Sequence, residues 1–454
     1  MTVNENFRYL NIGLPEDILR RKLGGDLAGA VRLIDKRLAG DLPEALRACL
    51  TAEREMILRT PRDYPYTRAE ALAIVREHIP DFTEEEFDAR VDACEIGWIW
   101  LNGEEHFFRR FFQTLYKTDA AFAARAGKVQ EQDPVEHLHA AMAEMKEKGS
   151  ISRRIRVKAS AAVNPEYFED GMFVRVHLPV PAACDQQSDI RIERISPEGA
   201  FVAPEDAPQR TVCWEENMTE NHPFEVEYSY IHTARYHDTD LLTPDAEQPD
   251  FFTGEEAPHI VFTPYIRALT ASLTEGVTDP LEKARRIYDF ITLNMHYTFM
   301  PAYFILENIA ESCARNYCGD CGVFALLFIT LCRCAGIPAR WQSGMAAEPH
   351  DCGSHDWAQF YVAPYGWLYA DPSYGVSACK AGDEERRKFY FGNLDPYRMV
   401  ANCKFQAEFI PPKAHWRADP YDNQSGEIET VGRALNYDEY TREMETLSCE
   451  EVDQ

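Results

Sequence analysis

The stretch GDCGVFALLFITLCRCAGIPAR, residues 319–340, carries the strongest structural signal in this chain. A glycine and Asp320 precede Cys321, and a long apolar run follows and ends at Gly336-Ile337-Pro338. An apolar run that stops at glycine and proline predicts a buried helix with Cys321 in its first turn. A thiol there lies at the positive end of the helix dipole, which favours the reactive thiolate. Asp320 opposes this effect unless its side chain caps the helix and points away.

A thiol nucleophile needs a base, and the base needs a group that orients it. The stretch SHDWAQFYV predicts a strand that begins at His355, and GWLYADPS predicts a return strand that ends at Asp371. A turn centred on Pro364-Tyr365 would place Tyr374 opposite His355, which leaves Asp371 offset by about 10 Å. A bulge, a longer loop or strong twist would have to close that gap. Spacing therefore leaves the pair open, and His350 is a rival base in a loop pattern.

These three motifs, in this order and at these separations, resemble the core of the transglutaminase-like superfamily. The resemblance covers about residues 280–380, less than a quarter of the chain. It implies that Cys321 is the nucleophile, His355 the base and Asp371 the orienting acid. It also implies an α+β fold, in which an antiparallel sheet packs on the nucleophile helix in a papain-related arrangement. The β segment before the core, with its HLPVP, is similar to the β domain of bacterial members.

The resemblance implies a cysteine peptidase or acyltransferase that works through an acyl-enzyme thioester and needs no organic cofactor. We expect hydrolysis of an amide in a protein or peptide substrate by a peptidase or isopeptidase. Transglutaminase-type acyl transfer to an amine, which cross-links proteins, is an alternative that uses the same residues. A non-catalytic binding or scaffold member of the superfamily is a third. We expect no metal, because the sequence has no D-x-D-x-D-G calcium loop.

Several residues near the core keep open roles. Some family members use an upstream tryptophan at the oxyanion, but this sequence has none between Trp214 and Trp341. Tyr297, Tyr303 or backbone N–H groups are the candidates for that role. The pair Cys318-x-x-Cys321 suggests either an inhibitory disulfide or half of a zinc site, with further thiols at Cys332, Cys334 and Cys352. The segment Gln424-Ser425-Gly426-Glu427 could reach the site, without an evident mechanism.

Composition excludes several classes of protein. The chain has 454 residues, with 47 basic and 75 acidic side chains and a net charge of −28. Such a charge without a basic cluster argues against nucleic acid and anionic membranes as partners. No apolar run is long enough to span a bilayer, and the N-terminus lacks the pattern of a secretory signal. Thirteen irregularly spaced cysteines are typical of a reducing compartment, so a cytoplasmic protein is expected.

The pattern along the chain predicts four segments, and it leaves the oligomeric state open. Residues 1–150 are expected to be helical, with a capping box at Thr83-x-x-Glu86 and an aromatic run, Trp98 to Phe112, in the helix core or an interdomain seam. Residues 151–245 show period-two alternation and predict a β-sandwich or small barrel. Residues 246–420 hold the catalytic core. Residues 421–454 are expected to form an acidic tail, either a surface helix or a frayed end from Glu427 onward.

Overall fold

The computed structural model describes residues 3–128 and 135–452. Two compact units are built from discontinuous segments: the first from Met1–Pro134, Glu256–Val261 and His296–Asp320, the second from Val135–Glu255, Phe262–Met295 and Cys321–Gln454. Across the described ranges, no helix combines the length and the apolar character that crossing a bilayer requires. The predicted division at residues 150, 245 and 420 stays a prediction.

The N-terminal part of the first unit is mostly helical. After a 3-10 helix at Asn4–Ile12, its elements in chain order are α1 Glu16–Leu23, α2 Leu27–Leu38, α3 Glu44–Asp63, β1 Tyr66–Thr67, α4 Arg68–His78, α5 Glu84–Asp92, β2 Trp98–Leu101, β3 Glu104–Phe107, α6 Phe111–Thr118 and α7 Ala120–Arg125. The capping box predicted at Thr83 and Glu86 is present at the start of α5.

One part of the helical prediction for residues 1–150 is wrong. Trp98 and Trp100 lie on strand β2 and are 36% and 47% exposed. Asn102 and Gly103 both have positive φ and form the tight turn to β3, a conformation that an Asn-Gly pair favours. The hairpin therefore replaces the helix expected for this part of the aromatic run.

The chain continues with α8 Glu136–Lys148, β4 Ser150–Val163, β5 Met172–Pro179, β6 Gln187–Ser196, β7 Phe201–Val202, β8 Thr211–Met218, β9 Phe224–Arg235, α9 Pro264–Leu273, α10 Pro280–Asn294 and β10 His296–Tyr297. It then forms α11 Ile309–Asn316, β11 Cys318–Gly319, α12 Cys321–Cys334, β12 Ala339–Ala347, β13 Cys352–Val362, β14 Gly366–Ala370, α13 Pro372–Lys380, α14 Glu384–Phe389, β15 Phe391–Gly392, β16 Arg398–Asn402, β17 Glu427–Thr430 and β18 Tyr440–Val452. Short 3-10 turns lie at Pro165–Tyr167 and Tyr303–Ile305.

Two four-stranded sheets in the second unit share one hydrophobic core, in agreement with the predicted β-sandwich. Their strand orders are β17-β5-β8-β7 and β18-β4-β9-β6. Side chains from both sheets, including Val176, Trp214, Tyr228 and Ile428, are almost completely buried in this core. The alternation of apolar and polar residues that predicted the strands is what lets one face of each sheet pack inward.

The expectation of a surface helix or frayed end after Glu427 is wrong. Strand β17 pairs with β5, and β18 pairs with β4. Acidic residues of β18 face basic partners across the ladder, with Glu445 opposite Lys158 and Glu450 opposite Arg154. Opposite charges across a ladder stabilise a sheet, and charged edge strands resist aggregation. The acidic run therefore forms an edge strand of the sandwich.

A five-stranded antiparallel sheet and a buried helix form the core that the sequence predicted. The sheet has the order β15-β14-β13-β12-β16. Helix α12 begins at Cys321, is buried from Gly322 to Arg333 and packs on β13, where Phe328 contacts Phe360 edge to face. The predicted α+β core, with an antiparallel sheet against the helix that carries Cys321, is confirmed.

Candidate active site

The thiol of Cys321 contacts the strand that carries the predicted base. Its Sγ donates a hydrogen bond to Oδ2 of Asp356, at 3.2 Å. Asp356 is buried on β13 and directly follows His355 in the chain. Because neighbouring Cα atoms are about 3.8 Å apart, the sulfur reaches β13 within one residue of His355. The contact between the sulfur and the imidazole itself stays a prediction.

His355 and Asp371 form a buried hydrogen-bonded pair. Nε2 of His355 lies 2.7 Å from Oδ2 of Asp371, and the carboxyl group is completely buried. An ionised carboxylate accepts hydrogen bonds, so in the neutral ring we assign the proton to Nε2. The lone pair of the neutral ring is then on Nδ1, which can accept a proton. This is the arrangement that a general base and its orienting acid require.

The register of the hairpin explains how this pair forms. Val362 pairs with Gly366 and Ala358 with Ala370, so the turn is centred on Pro364. The sequence predicts a turn centred half a residue later, and that register would put His355 and Asp371 on opposite faces of the sheet. In the observed register Asp371 is two positions from the residue opposite His355, and residues two apart lie on the same face. Diagonal neighbours of this kind are within reach of long side chains, so no bulge is needed.

Asp371 is fixed from three sides. It is the N-cap of α13, where Oδ1 accepts the N–H of Tyr374 at 2.9 Å, and proline follows it at the first helical position. The guanidinium of Arg398, also completely buried, lies 3.0 Å from Oδ2 and bonds to Asp395 on its other side. The acid that is hydrogen-bonded to the imidazole therefore also starts a helix.

These contacts control the charge of Asp371. Burial would raise the pKa of this carboxyl, but the positive charges of His355 and Arg398 and the hydrogen bonds outweigh burial and hold its pKa below the usual range. Asp371 is therefore ionised at neutral pH and can stabilise an imidazolium on His355.

Asp371→Asn should destabilise the protein in a pH-dependent way. A carboxyl whose pKa is lowered by folding contributes stability above its unfolded pKa of about 3.9, and this stability is lost as the pH falls further. The difference in unfolding free energy between wild type and variant should thus shrink as the pH falls below about 4. Urea unfolding at several pH values measures it. A difference that grows on acidification would contradict the assignment.

Two aromatic rings lie against the imidazole. The ring of Tyr374 lies 4.7 Å from that of His355, and the ring of Trp357 stacks beside it at 6.1 Å. The hydroxyl of Tyr374 donates to Glu348, and the indole N–H of Trp357 donates to Gln342 at 3.0 Å. The two rings are thus held in place by polar contacts of their own.

The other candidates from the sequence have different surroundings. The rival base His350 is exposed and precedes β13. Tyr303 donates a hydrogen bond from its hydroxyl to Asp320, and Tyr297 pairs with Gly319 between β10 and β11. Both tyrosines belong to the first unit. Their role at an oxyanion stays a prediction.

None of the thirteen cysteines, all of which lie in the part of the chain that the structure describes, forms a disulfide. Burial raises the pKa of Cys318 to about 11, and it raises the pKa of Cys332 well above its usual value. Within residues 3–128 and 135–452, no group of three or more His, Cys, Asp or Glu side chains is arranged to hold a metal ion. The zinc set considered from the sequence is therefore not assembled there, and a regulatory Cys318–Cys321 disulfide stays a prediction.

Sequence reasoning did not assign a role to two residues at the thiol. Asp356 receives the hydrogen bond of Cys321, and Gln424 donates its amide to the other oxygen of Asp356 at 2.6 Å. Gln424 belongs to the segment that the sequence suggests could reach the site, and it does so through Asp356. The position of Asp356 beside His355 in HDW was the available signal for the acid.

Comparison with known proteins gives a family match over the segment that carries the predicted catalytic residues. Residues 267–372 match the sequence model described as "Transglutaminase-like superfamily", and this range includes Cys321, His355 and Asp371. YebA, an uncharacterized protein of Bacillus subtilis (strain 168), is 23% identical over 131 residues, which cover 25% of this chain and 18% of that protein. This chain thus matches under a fifth of the length of that relative.

Two crystal structures show weaker likeness. One is a candidate cysteine protease from Cytophaga hutchinsonii, with a TM-score of 0.41 and 15% identity over 67% of this chain and 92% of that one. The other is the periplasmic domain of TgpA from Pseudomonas aeruginosa, with a TM-score of 0.26 and 13% identity over 56% of this chain and 96% of that one. Scores this low add nothing to the family assignment. Residues 267–372, under a quarter of the chain, are thus similar to the transglutaminase-like superfamily, and helix α12 and strands β12 to β14 lie within that range.

Proposed function

We propose that this protein is a cysteine-dependent amide hydrolase that acts on a protein or peptide, with Cys321 as nucleophile, His355 as base and Asp371 as orienting acid. The observation that supports it most is the buried His355–Asp371 hydrogen bond, next to the strand position that the Cys321 thiol contacts. A histidine paired with a carboxylate, beside a thiol at the start of a helix, is the arrangement that activates sulfur for attack on a carbonyl.

Acylation follows from this arrangement. The sulfur of Cys321 attacks the amide carbonyl carbon, and its proton passes to Nδ1 of His355. The tetrahedral intermediate collapses when His355 returns that proton to the amide nitrogen, so the C–N bond breaks and the amine leaves. A thioester to Cys321 remains. Backbone N–H groups at the start of α12 are donors that could stabilise the oxyanion.

Deacylation reverses these roles. Water attacks the thioester while Nδ1 of His355 takes its proton, and the carboxylic acid leaves as the sulfur regains a proton. An amine in place of water would give acyl transfer, which uses the same three side chains. The accepting molecule therefore distinguishes hydrolysis from cross-linking, and an experiment has to supply both.

Cys321→Ala should abolish cleavage, because it removes the sulfur that forms the thioester. We would incubate the wild type with an unfolded protein such as denatured casein, both with and without a labelled primary amine, and follow the products by mass spectrometry. Hydrolysis predicts shorter peptides without label, and transfer predicts incorporation of the amine. The matched control is Cys94→Ala, which removes an exposed thiol and should leave the rate unchanged.

Two results would count against this proposal. Cleavage that persists in Cys321→Ala would show that another group is the nucleophile. Loss of cleavage in Cys94→Ala together with full activity of Cys321→Ala would assign the reactive thiol to Cys94 instead.

A further inference from the structure

We propose that Asp356 is a fourth catalytic-site residue, which keeps the Cys321 sulfur protonated in the resting protein, and that Gln424 positions it. This rests on the proposed function, because it assigns a role at the same sulfur. Asp356 contacts the atom that reacts, whereas Gln424 acts through Asp356.

The carboxylate of Asp356 is held at both oxygens. Oδ2 accepts the thiol of Cys321 at 3.2 Å, and Oδ1 accepts the amide of Gln424 at 2.6 Å. Asp356 is 3% exposed, so water competes little for either oxygen. A carboxylate anchored in this way cannot turn away from the sulfur without losing a short hydrogen bond.

The segment that carries Gln424 is itself fixed. Asn402, at the end of β16, donates its amide to the backbone oxygen of Asn423 at 2.9 Å, and the side chain of Asn423 accepts the N–H of Gly426 at 2.8 Å. Asn402, Asn423 and Gly426 are all buried. Gln424 therefore reaches Asp356 from a rigid support, as a positioning residue requires.

A negative charge at this distance acts against the thiolate. The hydrogen bond needs the S–H proton, and a carboxylate next to a thiolate would bring two negative charges together. This opposes the helix end, which favours the thiolate, and it predicts a neutral thiol before substrate binds. The sulfur then loses its proton to His355 during attack.

Other titratable groups near this helix make contacts of their own. On the elements that pack against α12, His355 of β13 bonds to Asp371 at the start of α13, Tyr374 of α13 donates to Glu348, and Tyr288 of α10 donates to the backbone oxygen of Arg387.

Two further acids adjoin these residues, one as a neighbour in the chain and one through a hydrogen bond. Asp320, which precedes Cys321 in the chain, accepts the hydroxyl of Tyr303. Burial raises the pKa of Asp422, while hydrogen bonds to Ser343 and Asp356 lower it in part. Because two hydrogen-bonded carboxyl groups cannot both be ionised, Asp422 and Asp356 share one negative charge beside the sulfur. The direct contact with the sulfur makes Asp356 the group to test.

The test is the pH dependence of alkylation at Cys321 by iodoacetamide, read by mass spectrometry, because this reagent reacts with the thiolate and needs no substrate. In Asp356→Asn the pH midpoint of alkylation should fall by about one unit or more, which makes alkylation below the midpoint about tenfold faster. The matched control is Asp351→Asn, which removes an exposed negative charge earlier in the chain and should leave the midpoint unchanged.

A second variant keeps the proposal testable if Asp356→Asn does not fold, as judged by circular dichroism. Gln424→Leu leaves Asp356 in place but releases its carboxylate, so the midpoint should fall by less than in Asp356→Asn. A midpoint that is unchanged or higher in the folded variants would overturn the proposal. Normal cleavage with an unchanged midpoint would reject this role while the proposed function stands. A lowered midpoint in a protein that cleaves no amide would reject the function and keep the role of Asp356.

Discussion

Replacing His355 with glutamine should slow amide hydrolysis by about 10²- to 10⁴-fold. Glutamine can still donate a hydrogen bond to Asp371, so the buried carboxylate keeps a partner. It cannot take the thiol proton or return it to the leaving amine, so both steps lose their proton carrier. Single-turnover cleavage at saturating substrate measures the loss as a change in the rate of chemistry rather than in binding.

The control for this variant is His350→Gln, because His350 precedes His355 on the same stretch of chain and is exposed. We expect its rate to equal that of the wild type. The assignment of the base would be wrong if the two variants behaved in the opposite way, or if His355→Gln retained the full rate.

Glu427→Gln should lower the free energy of unfolding by about 3–5 kcal/mol. The Glu427 carboxylate accepts Nζ of Lys413 at 2.7 Å and Nε of Arg417 at 2.9 Å, and all three side chains are essentially unexposed. It also accepts the N–H of Ala418 at 2.8 Å. Removing its charge takes the direct counter-charge from two buried cations, and a buried charge that loses its partner is far more costly than a paired one.

The pH dependence of the unfolding free energy gives an independent check of the role of Glu427. Burial would raise the pKa of Glu427, but Lys413 and Arg417 outweigh it and hold the pKa at about 2. The stabilisation is therefore complete above the unfolded pKa of about 4.3 and declines as the pH falls through the folded pKa. Denaturant unfolding of wild type and variant should show a difference that narrows over this range.

A surface acid supplies the matched control. Glu443→Gln removes a carboxylate from an exposed position of β18, and its effect should stay within about 0.5 kcal/mol. Equal unfolding midpoints for wild type and Glu427→Gln would show that the buried ion network does not stabilise this segment.

The elements that a local pattern specifies could be predicted from the sequence. The residues after Cys321 are apolar on every side of a helix, so a buried helix could be predicted from this run alone. Helix α12 confirms that prediction. The strands of the sandwich alternate in period two, and a capping box marks the start of α5. Each of these signals comes from residues that are close in the sequence, because helix propensity and hydrophobic periodicity are local properties.

Features that depend on distant partners could not be predicted. The acidic run of β18, taken alone, is typical of a solvent-exposed helix. The structure shows that Lys158 and Arg154 of β4 lie opposite its acids across the ladder, which favours a strand. Thr441 of β18 and Ala162 of β4, which are paired, lie 279 positions apart in the chain. No local pattern records a pairing over that separation.

Within the site, motif order predicted the candidates, but small differences in geometry decide their contacts. The observed turn centre lies half a residue before the predicted one. This shift places His355 and Asp371 on the same face of the sheet rather than on opposite faces. The Asp-Pro sequence at Asp371 is a helix N-cap signal as well as a family motif, and it was available in the sequence. The bond from Gln424 to Asp356 joins positions 68 residues apart, so it needed a structure.

The late pairing of β17 and β18 bears on how the chain matures on the ribosome. When most of the chain has left the ribosome, each sheet of the sandwich still lacks one strand. Gln424 is also synthesised after every residue of the proposed triad. Because translation adds residues in order, the contact that holds Asp356 at the sulfur forms after Cys321, His355 and Asp371 have been synthesised. A polypeptide that terminates prematurely before Gln424 would thus carry Cys321 and Asp356 without the amide that donates to Asp356.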